Sequence, residues 1–575
     1  MTNREVAEEE ERLLAAPSTE HKTPVLTILP PEDKVTWKTL PHKRQLLLLA
    51  LCRLSDPLSN ACLLPYIYYL VKSILDDPDH PTAPQQISRL TGILVAAFPL
   101  GQMSTSMFWG RISDSYGRKR IILIGLTISV IANISFGFSR SFGALLFWRV
   151  IAGMANGIRG VMRTMTAEIV KERRYQTRAF LAVPLVFNSG RVVALAIGGC
   201  LADPIHNMSW LFGPNGLLNV SQNPGGVPWA VKYPYALPAI FNGTVLGICL
   251  TLATLGLKES LPTKEHDWDL GIAVGKSITG FFKRSVFRRD ASGYTAVQIE
   301  ETEILMADCA VTDVSSTGTS TPTESTPSPP PTPRTHRLPF RQIWTRHLLM
   351  TLFSFGLLPL HNSTFIHIFP VYLCMPTEPN LHPTVFRFTG GLGLASPTVG
   401  MYLAAFGICG ILLQLFIYPR IQRRIGTLGA FRLANMIFPA AYLFVPYLSL
   451  LSGHLVARWP AMAAILFAQV MGRTMAIPSS VLLLTEATPQ KSVLGTVHGA
   501  GNALSALASA GGPMIGGLIL AWGIDMGVVG VVWWAWLCLV ALVALGWSFV
   551  LRRTEAEKEE LAGRLVLDEE NKEGR

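Results

Sequence analysis

The sequence contains few charged residues. Only 15% of its 575 residues are Asp, Glu, Lys or Arg, against about 25% in an average soluble domain, while 49% are hydrophobic and the mean hydropathy is +0.35. This composition excludes a soluble protein and indicates many membrane spans. The net charge of +11 does not indicate nucleic-acid binding, because the basic residues lie in short loops between apolar segments, as in membrane proteins.

Other absences narrow the function. The eight cysteines are scattered, with no C-x-x-C pair and no metal-ligand spacing, so we interpret them as small packing residues and predict no metal site. Residues 1–43 are polar and lack an apolar core, so we expect no cleavable signal peptide. Gly275-Lys276-Ser277 resembles part of a nucleotide-binding loop, but Leu270 stands where its first glycine belongs. With no nucleophile–base set in the sequence, we predict neither enzyme activity nor a cofactor.

Apolar runs of about 20 residues, enough to cross a bilayer, occur twelve times. The loops after spans 2, 4 and 8 are rich in Arg and Lys, so the positive-inside rule places these loops and both termini in the cytoplasm. The loop after span 5 then faces outward, and its sequons at Asn207 and Asn219 are candidate glycosylation sites. Numbered 1 to 12, the spans lie near 45–71, 89–109, 120–138, 143–167, 179–201, 236–257, 347–373, 397–418, 428–451, 460–485, 494–521 and 526–551.

The spans form two groups of six. The stretch between the groups has a core, 312–333, made almost entirely of Ser, Thr, Pro and Gly, which cannot bury enough apolar surface to fold alone. We therefore predict five regions: a disordered cytoplasmic N-terminus at 1–43, a six-helix bundle at 44–258, a disordered cytoplasmic loop at 259–342, a second six-helix bundle at 343–551 and a charged cytoplasmic tail at 552–575.

The two groups resemble each other. Glu168, near the end of span 4, precedes the pair Gly198-Gly199 by 30 residues, and Glu486, near the end of span 10, precedes Gly516-Gly517 by the same 30. Matching residue types at matching positions indicate an internal repeat.

Ionisable residues inside the spans are the candidate transport residues, because a charge at mid-bilayer costs about 2.5–3.5 kcal/mol. In span 1, Arg53 and Asp56 are three residues apart and share a helix face, and Pro57 and Pro65 are expected to kink the span. Asp56 either binds and releases a coupling proton or forms a structural ion pair with Arg53. The sequence leaves both alternatives open.

Further candidates lie in spans 4, 7 and 10. Arg159 and Arg163 attract an anionic substrate, extend their charged ends toward the membrane interface, or pair with Glu168. Glu168 is alternatively expected to bind Arg118 and lock an outward-facing state. His361 and His367 in span 7 are each a proton or metal site or, more commonly for a lone buried histidine, a packing residue. The remaining candidates for proton coupling are Arg149 in span 4 and Glu486 in span 10.

The most specific motif joins spans 2 and 3. It has the pattern G-x-x-x-D-x-x-G-R-K, and every defined position resembles the hallmark of the major facilitator superfamily: Gly110, Asp114, Gly117, Arg118 and Lys119. The resemblance implies an all-α integral membrane fold, with twelve transmembrane helices in two pseudo-symmetric six-helix bundles around a central cavity.

Two further motifs resemble those of the superfamily. Arg149 begins an R-x-x-x-G pattern similar to the span-4 motif associated with proton coupling. The antiporter motif G-x-x-x-G-P-x-x-G-G is divided between the halves: span 5 keeps its opening glycine and final pair, and span 11 keeps its later part. These helix-packing residues are Gly190, Gly198, Gly199, Gly512, Pro513, Gly516 and Gly517.

Spans 1 and 7 are similar to a drug:proton antiporter-like branch that contains plant zinc-induced facilitators, their fungal relatives and bacterial tetracycline/multidrug antiporters. We therefore predict secondary active transport of a small organic molecule, such as a drug, toxin, secondary metabolite or metal chelator, by proton antiport. The alternatives are proton-coupled uptake and a transporter-like sensor that moves nothing. The expected partners are the substrate, protons and the lipid bilayer, and we expect a monomer.

The location is predicted from the branch and from the N-terminus. Drug-exporting relatives favour the plasma membrane. The vacuolar membrane is the alternative, because Glu9-Glu10-Glu11-Arg12-Leu13-Leu14 matches an acidic dileucine sorting signal.

Overall fold

The computed structural model describes residues 41–76, 82–170, 173–220, 222–261, 264, 268–286, 340–378, 384–490 and 493–551. The dileucine pattern, the Ser/Thr/Pro-rich core of the central loop and the charged C-terminal tail lie outside these residues.

Each predicted span corresponds to one or more helices, and no strand occurs in the described ranges. In the first half, span 1 comprises Lys43–Cys52, Ser55–Asn60 and Ile67–Leu75, span 2 is Pro84–Tyr116, span 3 is Arg118–Gly137, span 4 is Phe142–Ala155 continued by Asn156–Ile158 and Arg159–Ile169, span 5 is Arg173–Leu201 and span 6 is Ala236–Gly256. In the second half, span 7 is Arg346–Cys374, span 8 begins with Ser396–Leu412 and Leu413–Ile417, span 9 ends with Val445–Leu451, span 10 is Leu455–Glu486, span 11 is Leu494–Asp525 and span 12 is Val532–Cys538 with Leu539–Val550. Tyr418–Phe444 contains the end of span 8 and the beginning of span 9, which are separated by a kink at Gly426, where φ is 79°.

Among the described residues, seven helical stretches are both long and apolar enough to cross a membrane, and one of them, Ser396–Leu451, contains spans 8 and 9. Spans 1, 2, 4 and 5 are not among the seven, although span 5 contains a shorter apolar helix, Val186–Leu201. Span 1 is divided into short helices, and spans 2 and 4 carry arginines and other polar residues along their length. The more polar helices therefore lie in the first half of the molecule.

Span 1 is broken where its two prolines predict a kink. A turn at residues 61–66 separates Ser55–Asn60 from Ile67–Leu75. The carbonyl groups released from the helix find other donors: the amide nitrogen of Asn242 donates to the oxygen of Leu58 at 3.0 Å, and Arg149 donates to the oxygen of Ser59. The break is thus stabilised by side chains of spans 4 and 6.

Spans 5 and 11 make most of the contacts between the two halves, span 5 against span 8 and span 11 against span 2. A Cβ atom on Gly199 would lie 3.0 Å from the Cα of Gly400, and one on Gly517 would lie 3.0 Å from the Cα of Gly92. The two contacts occupy equivalent places in the repeat. Glycine is required at these positions because the backbones touch.

The other glycines of the two motifs pack within their own half. A Cβ on Gly190 would overlap Leu54, and one on Gly198 would overlap the carbonyl oxygen of Cys62; both lie against span 1. Gly512 and Gly516 lie in the same way against span 7. The helix-packing role predicted for these motifs therefore has an atomic basis.

Pro513 interrupts the backbone hydrogen bonding inside the helix of span 11. Because proline has no N–H, the carbonyl oxygen of Ser509 loses its partner within the helix, and it accepts a hydrogen bond of 3.0 Å from Ser363 Oγ in span 7.

The first part of the central loop is helical, which corrects the prediction of disorder from residue 259 onward. Leu270–Val286, which we call the connector helix, packs on span 6. Cβ atoms on Gly271 and Gly275 would overlap the carbonyl oxygens of Thr254 and Leu255. Two glycines four residues apart thus allow contact along the span, and the neighbouring Ser/Thr/Pro-rich composition concealed this short structured segment.

Replacing Gly199 with leucine is expected to abolish transport and to destabilise the protein by about 1–3 kcal/mol or more, because a side chain there forces the halves apart. Gly247→Leu is the matched control, since Gly247 lies in span 6 with no neighbour within 4 Å of its Cβ position. Thermal unfolding and transport by equal amounts of purified protein provide the measurement. Equal behaviour of the two variants would contradict the close contact between the halves.

Candidate functional site

A central cavity lies between the two halves. It has two adjoining parts, of about 760 Å³ and about 540 Å³, which share side chains such as Arg159, Arg191 and Ile366. Its walls come from spans 1, 2, 4 and 5 of the first half and spans 7, 8, 10 and 11 of the second. A volume of this size suits a small organic molecule.

The cavity is closed at one end. Here Tyr69 donates a hydrogen bond of 2.8 Å from span 1 to the carbonyl oxygen of Leu394, beside span 8, and the glycine contacts between the halves lie in the same region. At the other end, which carries the loop between spans 2 and 3, the lining residue Met107 is 68% exposed, and Cβ atoms on Gly160 and Gly499 would meet nothing within 4 Å. We call these the closed end and the loop-motif end; the cavity opens at the latter.

Asp56 lies in the cavity wall and is only 2% exposed. Its carboxylate forms an ion pair with Arg159 of span 4 and a longer one, of 3.7 Å, with Arg53 of its own span. Its neighbour Ser55 donates to the side-chain oxygen of Asn156 at 2.9 Å, which fixes this turn of span 1 against span 4. The ion pair with Arg53 is thus formed, and the same carboxylate borders the space open to substrate.

Arg149 does not contact Asp56 directly. It is 3% exposed and donates to the carbonyl oxygen of Ser59 and, at 2.6 Å, to the side-chain oxygen of Asn60. Its guanidinium lies over the ring of Phe98, 4.9 Å from the centroid. The arrangement gives Arg149 a positioning role: it holds the broken part of span 1 beside span 4.

Two candidates from the second half do not line the cavity. His361 is fully buried, with Nδ1 2.9 Å from the hydroxyl of Tyr442 and its ring edge-on to Phe438, so of its two predicted roles the packing role fits. Its neighbour His367 does line the cavity. Glu486 is exposed at the loop-motif end of span 10, outside the cavity wall.

Glu168 also lies at the loop-motif end rather than in the cavity wall. It forms a 3.2 Å ion pair with Arg118 and accepts a hydrogen bond of 2.5 Å from Ser260. Arg118 in turn pairs with Asp114 and donates to Ser113 at 2.6 Å. Glu168 thus binds Arg118, as one of its predicted alternatives states, and the pair joins spans 3 and 4 of one half. Its role in locking an outward-facing state stays a prediction.

Glu259 completes this cluster and was not identified from the sequence. Its carboxylate accepts hydrogen bonds from the backbone N–H groups of Arg118, at 2.8 Å, and Lys119, at 3.1 Å, the first residues of span 3. A carboxylate is stabilised at a helix N-terminus by the orphan N–H groups and the helix dipole. Gly117 has a φ of 104°, and a Cβ there would collide with Glu259. An acid directly after span 6 was the available signal.

Asp269 ties the connector helix to the same loop through a 2.6 Å ion pair with Lys119. Partial burial raises the pKa of Asp269, but hydrogen bonds from Lys119 and from the N–H of Ile272 lower it more, so the net pKa lies below the usual carboxyl range. A lowered pKa means that this contact stabilises the fold above the ordinary carboxyl pKa and is lost as the pH falls below it. Gly110, by contrast, has no atom of a described residue within 4 Å of its Cβ position.

The two sequon asparagines use their side-chain amides inside the structure. Asn219 is 6% exposed and donates to the carbonyl oxygens of Pro214, at 2.7 Å, and Asn223, at 2.9 Å. Asn207 donates to the carbonyl oxygen of Ala202 at 2.5 Å. Both nitrogens are the atoms to which a glycan would be attached, so attachment would replace these hydrogen bonds; glycosylation at the two positions stays a prediction.

Arg191 in span 5 and Arg473 in span 10 line the cavity and were not identified from the sequence. An arginine in the middle of an apolar span was the available signal, the same one that identified Arg149. The described residues that line the cavity include five arginines and one acid, Asp56; the arginines are Arg53, Arg159, Arg163, Arg191 and Arg473.

Comparison with known proteins gives a consistent result. Residues 49–377 match the model of the Major Facilitator Superfamily. The chain is 30% identical to the major facilitator superfamily multidrug transporter mfsB of Aspergillus fumigatus, over 91% of this chain and 85% of the relative. It is 24% identical to the protein ZINC INDUCED FACILITATOR 1 of Arabidopsis thaliana, over 82% of each chain.

The fold is shared with solved transporters. The crystal structure of an auto-inhibited POT family peptide transporter superposes with a TM-score of 0.56 at 13% identity, covering 89% of this chain and 97% of the other. The predicted fold class and the predicted branch are both confirmed. With its matched family model, its fungal relative and its two six-helix halves around a cavity, the chain belongs to the major facilitator superfamily and is a multi-pass membrane transporter.

Proposed function

We propose that this transporter moves a small organic molecule out of the cytoplasm by proton antiport, with Asp56 as the group that binds the proton. The observation that carries the proposal is a carboxylate, 2% exposed, held between Arg53 and Arg159 in the wall of a cavity shared by both halves. The similarity to a multidrug transporter supports export of a drug-like or metabolite-like molecule.

The orientation follows from charge. The loop-motif end carries the basic loops, so the positive-inside rule places it in the cytoplasm. The structure then represents an inward-open state, from which an exported molecule enters the cavity.

Protonation of Asp56 would change the contacts between spans 1 and 4. The ionised carboxylate neutralises Arg159, and a neutral carboxyl group would leave that arginine without its counter-charge. A proton thereby alters the relative free energies of the conformations, which is what coupling requires. Arg149 keeps the backbone of span 1 in place beside this pair.

Proton-coupled uptake is the second candidate, and one observation favours it. Protonation of Asp56 would release Arg53 and Arg159 from their ion pairs, and the released arginines would then bind an electron-rich substrate. The proton and the substrate would therefore be bound at the same time rather than in turn. Joint binding produces symport, whereas exclusive binding produces antiport.

Reconstituted protein distinguishes the two mechanisms. A transported compound is first identified by screening drugs and metabolites for protein-dependent uptake into liposomes. An acidic lumen is expected to drive its accumulation inside by antiport, with about a ten-fold loss on adding a protonophore. An acidic exterior would drive accumulation instead if the protein is a symporter, and no response to either gradient would contradict proton coupling.

Asp56→Asn is expected to lose gradient-driven accumulation while keeping substrate exchange across the membrane, because the neutral amide cannot cycle a proton. Asp203→Asn is the matched control, since Asp203 pairs with His206 outside the cavity. The exchange measurement also reports whether the Asp56 variant has folded. Full pH coupling in that variant would refute the assignment.

The cluster at the loop-motif end is proposed to set the conformational balance. Arg118→Ala removes the counter-charge of both Asp114 and Glu168, and we expect transport to fall about ten-fold or more with insertion intact. Arg111→Ala, which removes an exposed basic residue near the end of the span 2 helix, is the control and should transport normally. Flux of both variants is compared at equal surface abundance; equal flux would exclude this role.

A further inference from the structure

The cavity wall has a large excess of positive charge. Asp56 is the only acid among its described residues, and it is shared by two arginines, Arg53 and Arg159. Three more arginines line the same space. One carboxylate cannot neutralise five guanidinium groups, so the cavity attracts anions.

The three additional arginines are not used by the fold. Arg163, Arg191 and Arg473 make no hydrogen bond or salt bridge to another residue within the part of the chain that the structure describes. In contrast, the buried Arg149 is fixed by Ser59 and Asn60. Ionisable groups within a membrane that do not stabilise the fold mark a substrate or ion site.

Arg191 and Arg473 come from different halves. Arg191 lies on span 5 and Arg473 on span 10, and both line the smaller part of the cavity. Neutral amides of Gln414 and Gln469 line the same part of the wall, together with the ring of Phe369. Two like charges that line one cavity repel each other, and an anionic group bound between them stabilises both.

We infer that the substrate is an amphipathic organic anion whose carboxylate, sulfonate or phosphate group is held between Arg191 and Arg473. Guanidinium groups bind such oxygens through paired, charge-assisted hydrogen bonds, and the adjoining apolar wall accepts the rest of the molecule. The inference rests on the proposed transport function and adds the substrate class. Because the arginines belong to opposite halves, the bound anion removes their repulsion and draws the halves together around it.

Binding is measured on the full-length protein in phosphatidylcholine nanodiscs with three probes of one shape: naphthalene-1-sulfonate, naphthalene-1-sulfonamide and trimethyl(1-naphthyl)ammonium. We expect the anion to bind at least ten-fold more tightly than the neutral and cationic probes. Arg191→Gln and Arg473→Gln should each weaken anion binding at least ten-fold, and Arg473→Lys should weaken it less.

The control is Arg458→Gln, an arginine of the same span that lies outside the cavity and donates to the carbonyl oxygen of Ser452. Size-exclusion profiles and thermal unfolding verify that each variant is folded. Equal binding of all three probes, or equal affinity of Arg473→Gln and Arg458→Gln for the anion, would overturn the inference. Loss of anion binding when phosphatidylglycerol is added to the nanodisc would assign the site to a lipid headgroup and would overturn it too.

This assay needs no pH gradient, so it fails independently of proton antiport. Anion binding without proton-driven flux would refute the coupling mechanism alone. Proton-driven flux of a compound that the anion does not displace would refute the substrate class alone.

Discussion

The ion pairs of the Asp56 carboxylate with Arg159 and Arg53 are the interaction around which the first half is arranged. Asp56 is the only described acid in a cavity wall with five arginines, and it joins span 1 to span 4 through Arg159. Spans 1 and 4 can carry so many charges because their polar faces border the cavity instead of lipid. The break in span 1, the hydrogen bonds of Arg149 and the contact of Ser55 with Asn156 all serve to hold this carboxylate in one place.

The two halves have the same helix packing, but the polar side chains inside them differ in charge. Equivalent glycines of spans 5 and 11 make equivalent contacts, yet the polar groups of the second half are mostly neutral: His361 meets Tyr442, and Gln469 donates to Asn362 at 3.1 Å. Arg473 is the one charged residue that the described part of the second half contributes to the cavity. The repeat therefore explains how the helices pack, while the charge asymmetry determines what the cavity binds.

The sequence predicted whatever depends on local pattern. Apolar runs located the spans, prolines predicted the break in span 1, and the repeated glycine pairs identified the helices that touch. The sequence could not predict which side chains of a span point into the cavity, because a helix that is apolar on most sides has no distinct hydrophobic face. His361 and His367, for example, lie on the same span six residues apart, and only His367 lines the cavity. Contacts between distant segments were also hidden, since Glu259 is 141 residues from Arg118 and was assigned to a loop expected to be disordered.

The glycine contacts between the halves also affect how the molecule can move. Side chains that interlock across a helix interface must change rotamer before the helices can turn past each other, and each such change has an energy barrier. At Gly199 with Gly400, and at Gly92 with Gly517, only backbone atoms meet, so no rotamer has to change. Rotation of one half against the other therefore meets no barrier from side-chain rotamers at these two contacts.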